Sequence, residues 1–290
     1  MSVRRAAVIG PGRLGTLVAH ALTAAGTPVV RVAGGSDASR SRLREGLAGV
    51  RDVPLEEAAQ GVGLVVIATP DAAIESVVDR LVRADALDES HGVVHLAGVH
   101  GTGPLRRAGL AGARIAALHP ATTVPSGATD PSALHGVAWA VTTGTGDRSW
   151  AHELVHDLGG DPFDVPEEAR VRYHAALAIA SNAVGAAVVT ARTLLRSAGV
   201  EDAGRLIGPI AHASVDTAAT GGASALTGPV VRGDAATVQA HLDAISPDLP
   251  EVAAAYRALS RAVLVAVRPS LDPEVATMLD RLLDGPGGDA

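Results

Sequence analysis

Cysteine, lysine and aromatic residues are absent or nearly absent from this 290-residue chain. Without cysteine there are no disulfides, no thiolate metal sites and no cysteine nucleophile. Only two Trp, two Tyr and one Phe occur, and the formal net charge is −7, so neither base stacking nor phosphate neutralisation has a platform. We therefore expect no metal site and no nucleic-acid partner.

The missing lysine restricts the chemistry that the chain can perform. All 24 basic residues are arginine, so no lysine can form a Schiff base, donate a proton or hold an anion through an ammonium group. Any proton donor must therefore be a different side chain.

Long apolar runs are also scarce. The apolar run at the N-terminus is interrupted at residues 10–12, unlike a secretory signal, so we expect a cytoplasmic protein. Residues 175–191 come nearest to a membrane span, but they are fewer than the roughly 20 needed and include Ser181, Asn182 and Thr190. A helix that is apolar all round is more simply a buried central helix or the core of a dimer. We expect a homodimer formed through the helical domain rather than membrane insertion.

Two kinds of segment divide the chain. Short β-branched runs alternate with amphipathic stretches up to about residue 164, the pattern of a mainly parallel sheet. The predicted strands are 6–9, 28–33, 63–68, 92–96, 114–118 and 137–142, with a weaker one near 50–53. Helical patterns then replace strand patterns, and the predicted helices are 167–198, 201–219, 235–245, 250–267 and 273–283. We expect an α/β domain over residues 1–164 and an all-helical domain over residues 165–290.

A glycine motif follows the first predicted strand and opens a helix. Its sequence, Gly10-Pro11-Gly12-Arg13-Leu14-Gly15, matches G-x-G-x-x-G. The first glycine permits a tight turn, the second lets a pyrophosphate approach the backbone, and the third lets the helix pack on the strand. The N–H groups at the helix N-terminus also favour phosphate. The motif predicts a Rossmann-type dinucleotide-binding domain; the alternative is a tight turn without a ligand.

The segment after the second strand indicates which dinucleotide is bound. NAD-binding domains usually place an Asp or Glu about 20 residues past the motif to hold the ribose hydroxyls, and residues 30–35 contain none. Hydroxyl and guanidinium groups suited to a 2′-phosphate follow instead, in Ser36, Ser39, Arg40, Arg42 and Arg44. This favours NADP, with Ser36 and Arg40 as contacts, and only Asp37 argues for NAD.

Other strand ends reach the same edge of the predicted sheet. Ligands of open α/β sheets bind at the carboxyl ends of the strands. We expect Thr69 and Pro70 to line the nicotinamide ribose, Ala97 to contact the cofactor, and His119 to reach the same rim.

Together these features resemble one protein family. The resemblance is carried by the glycine motif, by the strand ends at 68–71, 95–98 and 119–120, and by segments 173–176, 181–182, 227–229 and 232–234. The chain is similar to bacterial Rossmann-like oxidoreductases with a helical C-terminal domain of unknown function. In architecture these resemble ketopantoate reductase, pyrroline-5-carboxylate reductase and the 6-phosphogluconate and 3-hydroxyisobutyrate dehydrogenases. The resemblance spans nearly the whole chain and implies an NADP-linked reductase with its active site between the domains.

The resemblance also indicates a proton donor. The β-hydroxyacid dehydrogenases in this set use a lysine on the first long helix of the second domain, with an asparagine further along it. His174 stands in the corresponding place, and in an uninterrupted α-helix Ser181 and Asn182 share a broad face with it, about 10 Å further along. We expect His174 to donate a proton and Ser181 and Asn182 to orient the substrate. His119 is either a second donor or a structural histidine.

The leading prediction is an NADPH-dependent reductase of a small carboxylated carbonyl compound, with a ketopantoate-like 2-oxo acid as the substrate. Thr227 and Arg232 are the predicted substrate contacts, and Arg232 would hold the carboxylate. The alternative is that Arg232 is only a surface charge. One alternative is an imine reductase of the pyrroline type, and another is a non-enzymatic NADP-binding sensor. A deazaflavin is the alternative cofactor.

Overall fold

The computed structural model describes residues 5–144 and 146–284. The chain forms two compact units, one up to Ala178 and the other from Ile179 onward.

An eight-stranded sheet forms the centre of the first unit. Its strands lie in the order β3-β2-β1-β4-β5-β6-β7-β8, and β6 and β7 are the antiparallel neighbours in an otherwise parallel sheet. The strands are β1 Ala6–Ile9, β2 Val29–Ala33, β3 Arg51–Asp52, β4 Leu64–Ile67, β5 Gly92–His95, β6 Arg114–Pro120, β7 Ala138–Thr143 and β8 Asp161–Asp164. The prediction of a mainly parallel sheet is confirmed.

Helices cover both faces of this sheet. Every residue of β1, β4 and β5 is buried, and alternate residues of these strands enter two separate apolar clusters. This is why the central strands read as continuous apolar runs in the sequence. The helices of the first unit are α1 Arg13–Ala24, α2 Asp37–Gly46, α3 Ile74–Arg83, α4 Arg106–Leu110, α5 Arg148–Asp157 and α6 Arg170–Ala178.

The strand order reverses at β1. The chain moves outward from β1 to β2 and β3, and then crosses back to place β4 on the other side of β1. Connections on opposite sides of the sheet leave a crevice at the carboxyl ends of the two strands where the order reverses. The glycine motif therefore lies at the edge of the crevice between β1 and β4.

Strand β8 was not predicted from the sequence. Its four residues, Asp-Pro-Phe-Asp, include no β-branched side chain, and proline is tolerated in a strand mainly at a sheet edge. The strand lies at that edge and pairs with β7 alone. Tertiary pairing rather than local propensity makes this segment a strand.

The first unit extends beyond the predicted boundary at residue 164. The last strand does end at Asp164, but residues up to Ala178 belong to the same compact unit. The reason is that Arg170 at the start of α6 is buried against the sheet, where it donates hydrogen bonds to carbonyl groups of β6 and β7. Strand patterns alone therefore place the boundary too early.

The second unit is helical. A π-helical turn, Ile179–Ala183, is followed by α7 Val184–Ser197, α8 Ala203–Gly221, α9 Ala235–Ile245, α10 Pro250–Val267 and α11 Pro273–Asp284. Its apolar core includes Val238 of α9, Leu264 of α10 and Leu279 of α11. Helices α9 and α10 begin and end at the predicted residues. The predicted helix 167–198 is instead a short 3₁₀ turn, α6, the π turn and α7.

Candidate functional site

The three glycines of the motif have different surroundings in the turn between β1 and α1. Gly10 has a φ of +85°, and a Cβ atom on it would lie 2.9 Å from the carbonyl oxygen of Ala68. A Cβ on Gly15 would lie 2.6 Å from the carbonyl oxygen of Gly10. A Cβ on Gly12 would have no atom within 4 Å. The fold therefore requires the first and third glycines, whereas the second leaves open space for a ligand.

The N-terminus of α1 faces this open space. Gly12 is the N-cap, and no side chain caps the first turn. The first N–H groups of a helix have no partner within it, and the helix dipole makes them favourable for an anion. An anion is the ligand class that this end of α1 would bind.

A cavity of about 670 Å³ adjoins the motif. The buried hydroxyl oxygen of Thr69 in its wall has no hydrogen-bond partner within the described segments of the chain. A buried polar atom of this kind is rare unless a ligand or water satisfies it. The predicted cofactor contacts that line the cavity are Gly10, Pro11, Gly12, Arg13, Ser36, Thr69 and Pro70.

Two arginines of α2 differ in their availability to a ligand. Arg40 bonds to the carboxylates of Asp37 and Asp52 and to two carbonyl oxygens of the β2–α2 turn. Its hydrogen bond with Asp52 is the main reason why its pKa is raised. Arg42 lines the cavity, and the residues that the structure describes offer it no ion pair. The arginine available to a phosphate is therefore Arg42 rather than the predicted Arg40.

Three strand ends meet at one level of the sheet edge. The register pairs Ile67 of β4 with His95 of β5, and His95 with Ala117 of β6. Two residues further along the chain lie Thr69 and Ala97, just past the ends of β4 and β5, and His119, which is still within β6. Neighbouring strands are about 4.8 Å apart. The sheet thus brings together the rim residues expected from the sequence.

His119 belongs to a cluster of rings at this rim. Its Nδ1 lies 2.9 Å from the hydroxyl of Tyr173, and its ring meets that of His174 edge to face at 5.9 Å between centroids. A Cβ on Gly98 would lie 2.5 Å from Cδ2 of His174 and 2.9 Å from Nε2 of His119. Both histidine rings therefore converge over Gly98, where any larger residue would displace them.

His95 has a structural role beneath this cluster. It is fully buried, its Nε2 lies 2.7 Å from the carbonyl oxygen of Gly101, and its Nδ1 accepts a hydrogen bond from the backbone N–H of Ala97. Burial lowers its pKa to about 4. These contacts fix the loop that carries Gly98.

Glu167 fixes the other end of the same loop. Its carboxylate accepts hydrogen bonds from the backbone N–H groups of Thr102, at 2.7 Å, and Gly103, at 3.2 Å. Glu167 begins the 3₁₀ turn Glu167–Ala169, which directly precedes α6, the helix that carries Tyr173 and His174. The loop after β5 and the start of α6 are thereby joined.

Arg170 places an unpaired positive charge behind the cluster. The residue is 1% exposed, and it donates hydrogen bonds to the hydroxyl of Thr142 and to the carbonyl oxygens of Ala117 and Ala140. Its Nη1 has no partner in the described parts of the chain. Its guanidinium carbon lies 5.9 Å from the centroid of the Tyr173 ring. Burial lowers the pKa of this guanidinium, whose ordinary value is far above neutrality.

His119 is neutral at physiological pH. Burial, together with the nearby His174, Arg170 and His95, lowers its pKa to about 4. Its ring can therefore act as a hydrogen-bond donor at one nitrogen and an acceptor at the other.

The remaining predicted residues lie in the second unit. Ser181 and Asn182 belong to the exposed π turn, so the α-helical periodicity that placed them on one face with His174 is interrupted at Ile179. Thr227 lines a separate cavity of about 260 Å³. Arg232 is exposed, and the neighbouring Asp234 caps α9.

Tyr173, Arg170, Gly98 and Glu167 were not among the predicted site residues. Tyr173 had a usable signal, because it precedes His174 in a chain with only two tyrosines. The others depend on contacts between distant segments. In the part of the chain that the structure describes, no group of three His, Cys, Asp or Glu side chains could hold a metal ion.

The chain matches two domain families. Residues 2–120 match a Rossmann-like domain, and residues 137–263 match a domain of unknown function, DUF2520. No curated protein shows significant sequence similarity to the chain. This confirms the predicted architecture of a Rossmann-like domain followed by a helical domain of unknown function.

Solved structures share this fold. One is a Bacteroides fragilis protein described as a candidate NADP oxidoreductase (20% identity, 90% of this chain and 97% of that chain covered, TM-score 0.73). Another is a reductive aminase from Aspergillus terreus in complex with NADPH and ethyl levulinate (18% identity, 97% of this chain and 99% of that chain covered, TM-score 0.63). A third is a Plasmodium falciparum pyrroline carboxylate reductase with NADP bound (15% identity, 92% of this chain and 98% of that chain covered, TM-score 0.58). At these identities the likeness establishes the fold.

His95, which is fully buried, and His119, which is partly buried, predict a pH-dependent stability. The unfolded chain takes up protons at histidine below about pH 6.5, whereas folded His95 and His119 stay neutral down to about pH 4. Their contribution to the free energy of unfolding is therefore complete above about pH 6.5. It falls between about pH 6.5 and 4, by up to roughly 1.4 kcal/mol per pH unit for each ring.

Denaturant unfolding between about pH 7.5 and 4.5 measures this loss. We expect His119→Asn to reduce the slope of stability against pH, and His156→Asn, at an exposed histidine, to leave it unchanged. Equal slopes for wild type and His119→Asn would show that His119 is not held neutral.

Proposed function

We propose that this chain, which joins a Rossmann-like domain to a DUF2520 domain, is an NADP-dependent oxidoreductase that reduces a small carbonyl or imine compound. The observation that carries the proposal is the shared sheet edge: the open cradle over Gly12 and the ring cluster over Gly98 lie at carboxyl ends of strands in one sheet. The NADP and NADPH in the titles of structures with this fold support the choice of cofactor.

The residues around the cradle fit NADP. Gly12 and the N-terminus of α1 would hold the pyrophosphate, and Ser36, Ser39 and Arg42 the 2′-phosphate. The nicotinamide end would extend past Thr69 towards Ala97, because these residues follow β4 and β5 on the far side of the crevice. Bound NADPH would supply a hydride to the substrate.

The ring cluster supplies the proton that must accompany the hydride. Reduction of a carbonyl or imine leaves negative charge on oxygen or nitrogen, which a positioned acid neutralises. The sequence favours His174 as this acid and offers His119 as a second donor, and Nε2 of His119 lies over the same glycine. Both histidines are candidates for the acid, because both rings lie close to Gly98.

For the substrate we propose a small carboxylated carbonyl compound, of which a ketopantoate-like 2-oxo acid is the first to test. A cyclic imine of the pyrroline type is the second candidate, favoured by the pyrroline carboxylate reductase and reductive aminase among the structures with this fold. Turnover of either class would be followed by the oxidation of NADPH. A non-enzymatic sensor would bind NADPH and turn over neither class.

Gly12→Val separates cofactor binding from folding. A Cβ at this position meets no protein atom within 4 Å, so the new side chain extends into the open space of the cradle. We expect an unchanged melting temperature, no NADPH binding by calorimetry and no NADPH oxidation with 2-oxo acids or cyclic imines. Gly15→Val, which overlaps the carbonyl of Gly10, should instead lower the melting temperature. Undiminished NADPH binding by Gly12→Val would refute the assignment of the cradle.

Arg42→Ala tests the choice of NADP over NAD. Loss of a charge-assisted contact with the 2′-phosphate should raise the Kd for NADPH about tenfold or more and leave the Kd for NADH unchanged. Arg44→Ala is the matched control, because Arg44 belongs to the same helix but does not line the cavity. If the two substitutions raised the Kd for NADPH equally, the net charge of the helix rather than a contact of Arg42 would explain the change.

We also propose that the second unit forms a homodimer. Leu206 and Ile210 of α8 are 59% and 67% exposed, and α7 contains no buried residue. One helical stretch of the described chain, Glu167–Ser197, is long and apolar enough to cross a membrane, and none of its most apolar window is buried. A large exposed apolar surface is typical of an interface, and a second copy would cover it.

Sedimentation velocity measures this association. We expect a dimer at micromolar concentration and a monomer for the double variant Leu206→Glu, Ile210→Glu, because two charges on one helix face oppose burial. Leu110→Glu, at an exposed leucine of the first unit, should leave the dimer intact. A monomeric wild type, or a wild type that partitions into lipid vesicles, would contradict the proposal.

A further inference from the structure

The hydrogen bond between Tyr173 and His119 selects where the imidazole carries its proton. A neutral imidazole has one N–H group and one nitrogen lone pair. The contact between Nδ1 of His119 and the hydroxyl of Tyr173 is 2.9 Å long, and the tautomer of the ring decides which group donates. A phenol hydroxyl is the better donor and a ring nitrogen the better acceptor, which favours donation by Tyr173. The ring proton of His119 is then on Nε2.

Nε2 is the nitrogen that lies over Gly98. It would be 2.9 Å from a Cβ at that position, and no hydrogen-bond partner for it exists in the described segments. Gly98 follows the end of β5, the strand next to β4 and its Thr69 turn. An N–H donor without a protein partner thus lies at the edge of the sheet where the substrate would bind.

His174 lacks such an arrangement. It meets Gly98 through the carbon Cδ2 and meets His119 edge to face. Among the described residues no hydrogen bond fixes either of its nitrogens. The geometry therefore distinguishes the two histidines, although both belong to the same cluster.

The charge of Arg170 favours the proton movement that this arrangement permits. Its guanidinium is buried, has no carboxylate partner within the described chain and lies 5.9 Å from the Tyr173 ring. A nearby positive charge disfavours a second one on His119 and favours a negative charge on the phenol oxygen. Arg170 therefore adds to the effect of burial in keeping His119 neutral. Burial raises the pKa of Tyr173, and Arg170 opposes that rise, so its charge reduces the cost of a transient phenolate.

We propose that His119 is the proton donor of this site through its Nε2–H, with Tyr173 and Arg170 as positioning residues. Tyr173 orients the ring and exchanges a proton with Nδ1, and Arg170 offsets the negative charge that forms on Tyr173. The proposal rests on the proposed reductase function. As a hydride adds to the substrate carbon, the Nε2–H bond of His119 breaks and an O–H or N–H bond forms on the substrate. Nδ1 takes the proton of the Tyr173 hydroxyl, which leaves a phenolate. The phenolate then takes that proton back from Nδ1 while water protonates Nε2 and releases hydroxide to solvent, so the starting tautomer is restored.

Nitrogen-15 NMR of the histidine rings tests the tautomer without any turnover. In the full-length protein labelled with ¹⁵N-histidine, the signals of His119 are identified by their loss in His119→Asn. We expect the Nε2–H tautomer in the wild type and a rise of the Nδ1–H tautomer in Tyr173→Phe. Phe163→Leu is the packing control, because Phe163 meets the Tyr173 ring edge to face without touching the hydrogen bond. An Nδ1–H tautomer in the wild type, or no change in Tyr173→Phe, would overturn the proposal.

Kinetics then distinguish the two histidines. General acid catalysis typically contributes about 10²–10⁴ in rate. With a substrate turned over by the wild type, we expect His119→Asn to lower kcat by about 100-fold or more and Tyr173→Phe by about tenfold. The KM for NADPH should stay within about threefold, and Phe163→Leu should retain its kcat. The opposite ranking, with His174→Ala more damaging than His119→Asn, would make His174 the donor.

These two measurements separate failure of the inference from failure of the proposed function. A wild type without turnover on 2-oxo acids and imines contradicts the reductase function, whereas the tautomer is read in the same protein without substrate. A wild type with turnover but the wrong tautomer contradicts only the role given to His119 and Tyr173.

Discussion

The parallel register of β4, β5 and β6 determines where every proposed functional group lies. Because Ile67, His95 and Ala117 are paired across these strands, the turns that follow Ile67 and His95 lie at the level of His119, which is still within β6. A slip of one residue in any strand would turn its side chains to the opposite face. The strands are held in this register by burial of both faces, so the apolar core that stabilises the domain also aligns the turns after β4 and β5 with His119.

Elements with local signals could be predicted from the sequence. The glycine motif contains its own turn and helix start, and helices α9 and α10 have an Asp cap and a proline at their first positions. Features that depend on distant partners could not be predicted. Strand β8 exists because β7 pairs with it, and the contact of Tyr173 with His119 joins residues 54 positions apart. Patterns within a segment carry no information about such pairs.

The arginines of α2 show the same limit within a single helix. Composition indicates that several guanidinium groups follow β2, but it does not show which of them are already paired. Arg40 meets Asp52 because β3 lies beside β2, and that neighbour comes from the topology of the sheet. Arg42, two residues further along, remains available at the cavity wall. Residue type predicted the phosphate-binding chemistry, and tertiary pairing decided which residue can perform it.

The buried charge of Arg170 is the feature that stability alone explains least well. Removing a guanidinium from water without a carboxylate partner costs several kcal/mol, which hydrogen bonds to Thr142 and to two carbonyl oxygens offset only in part. An apolar side chain would fill the same space without that cost. Natural sequences depart from such local rules chiefly at functional sites. The charge of Arg170 has the Glu167 carboxylate nearby but no ion pair with it. Next to a hydrogen-bonded tyrosine and histidine, this charge opposes the rise in the pKa of Tyr173 that burial causes, and a core-filling residue could not.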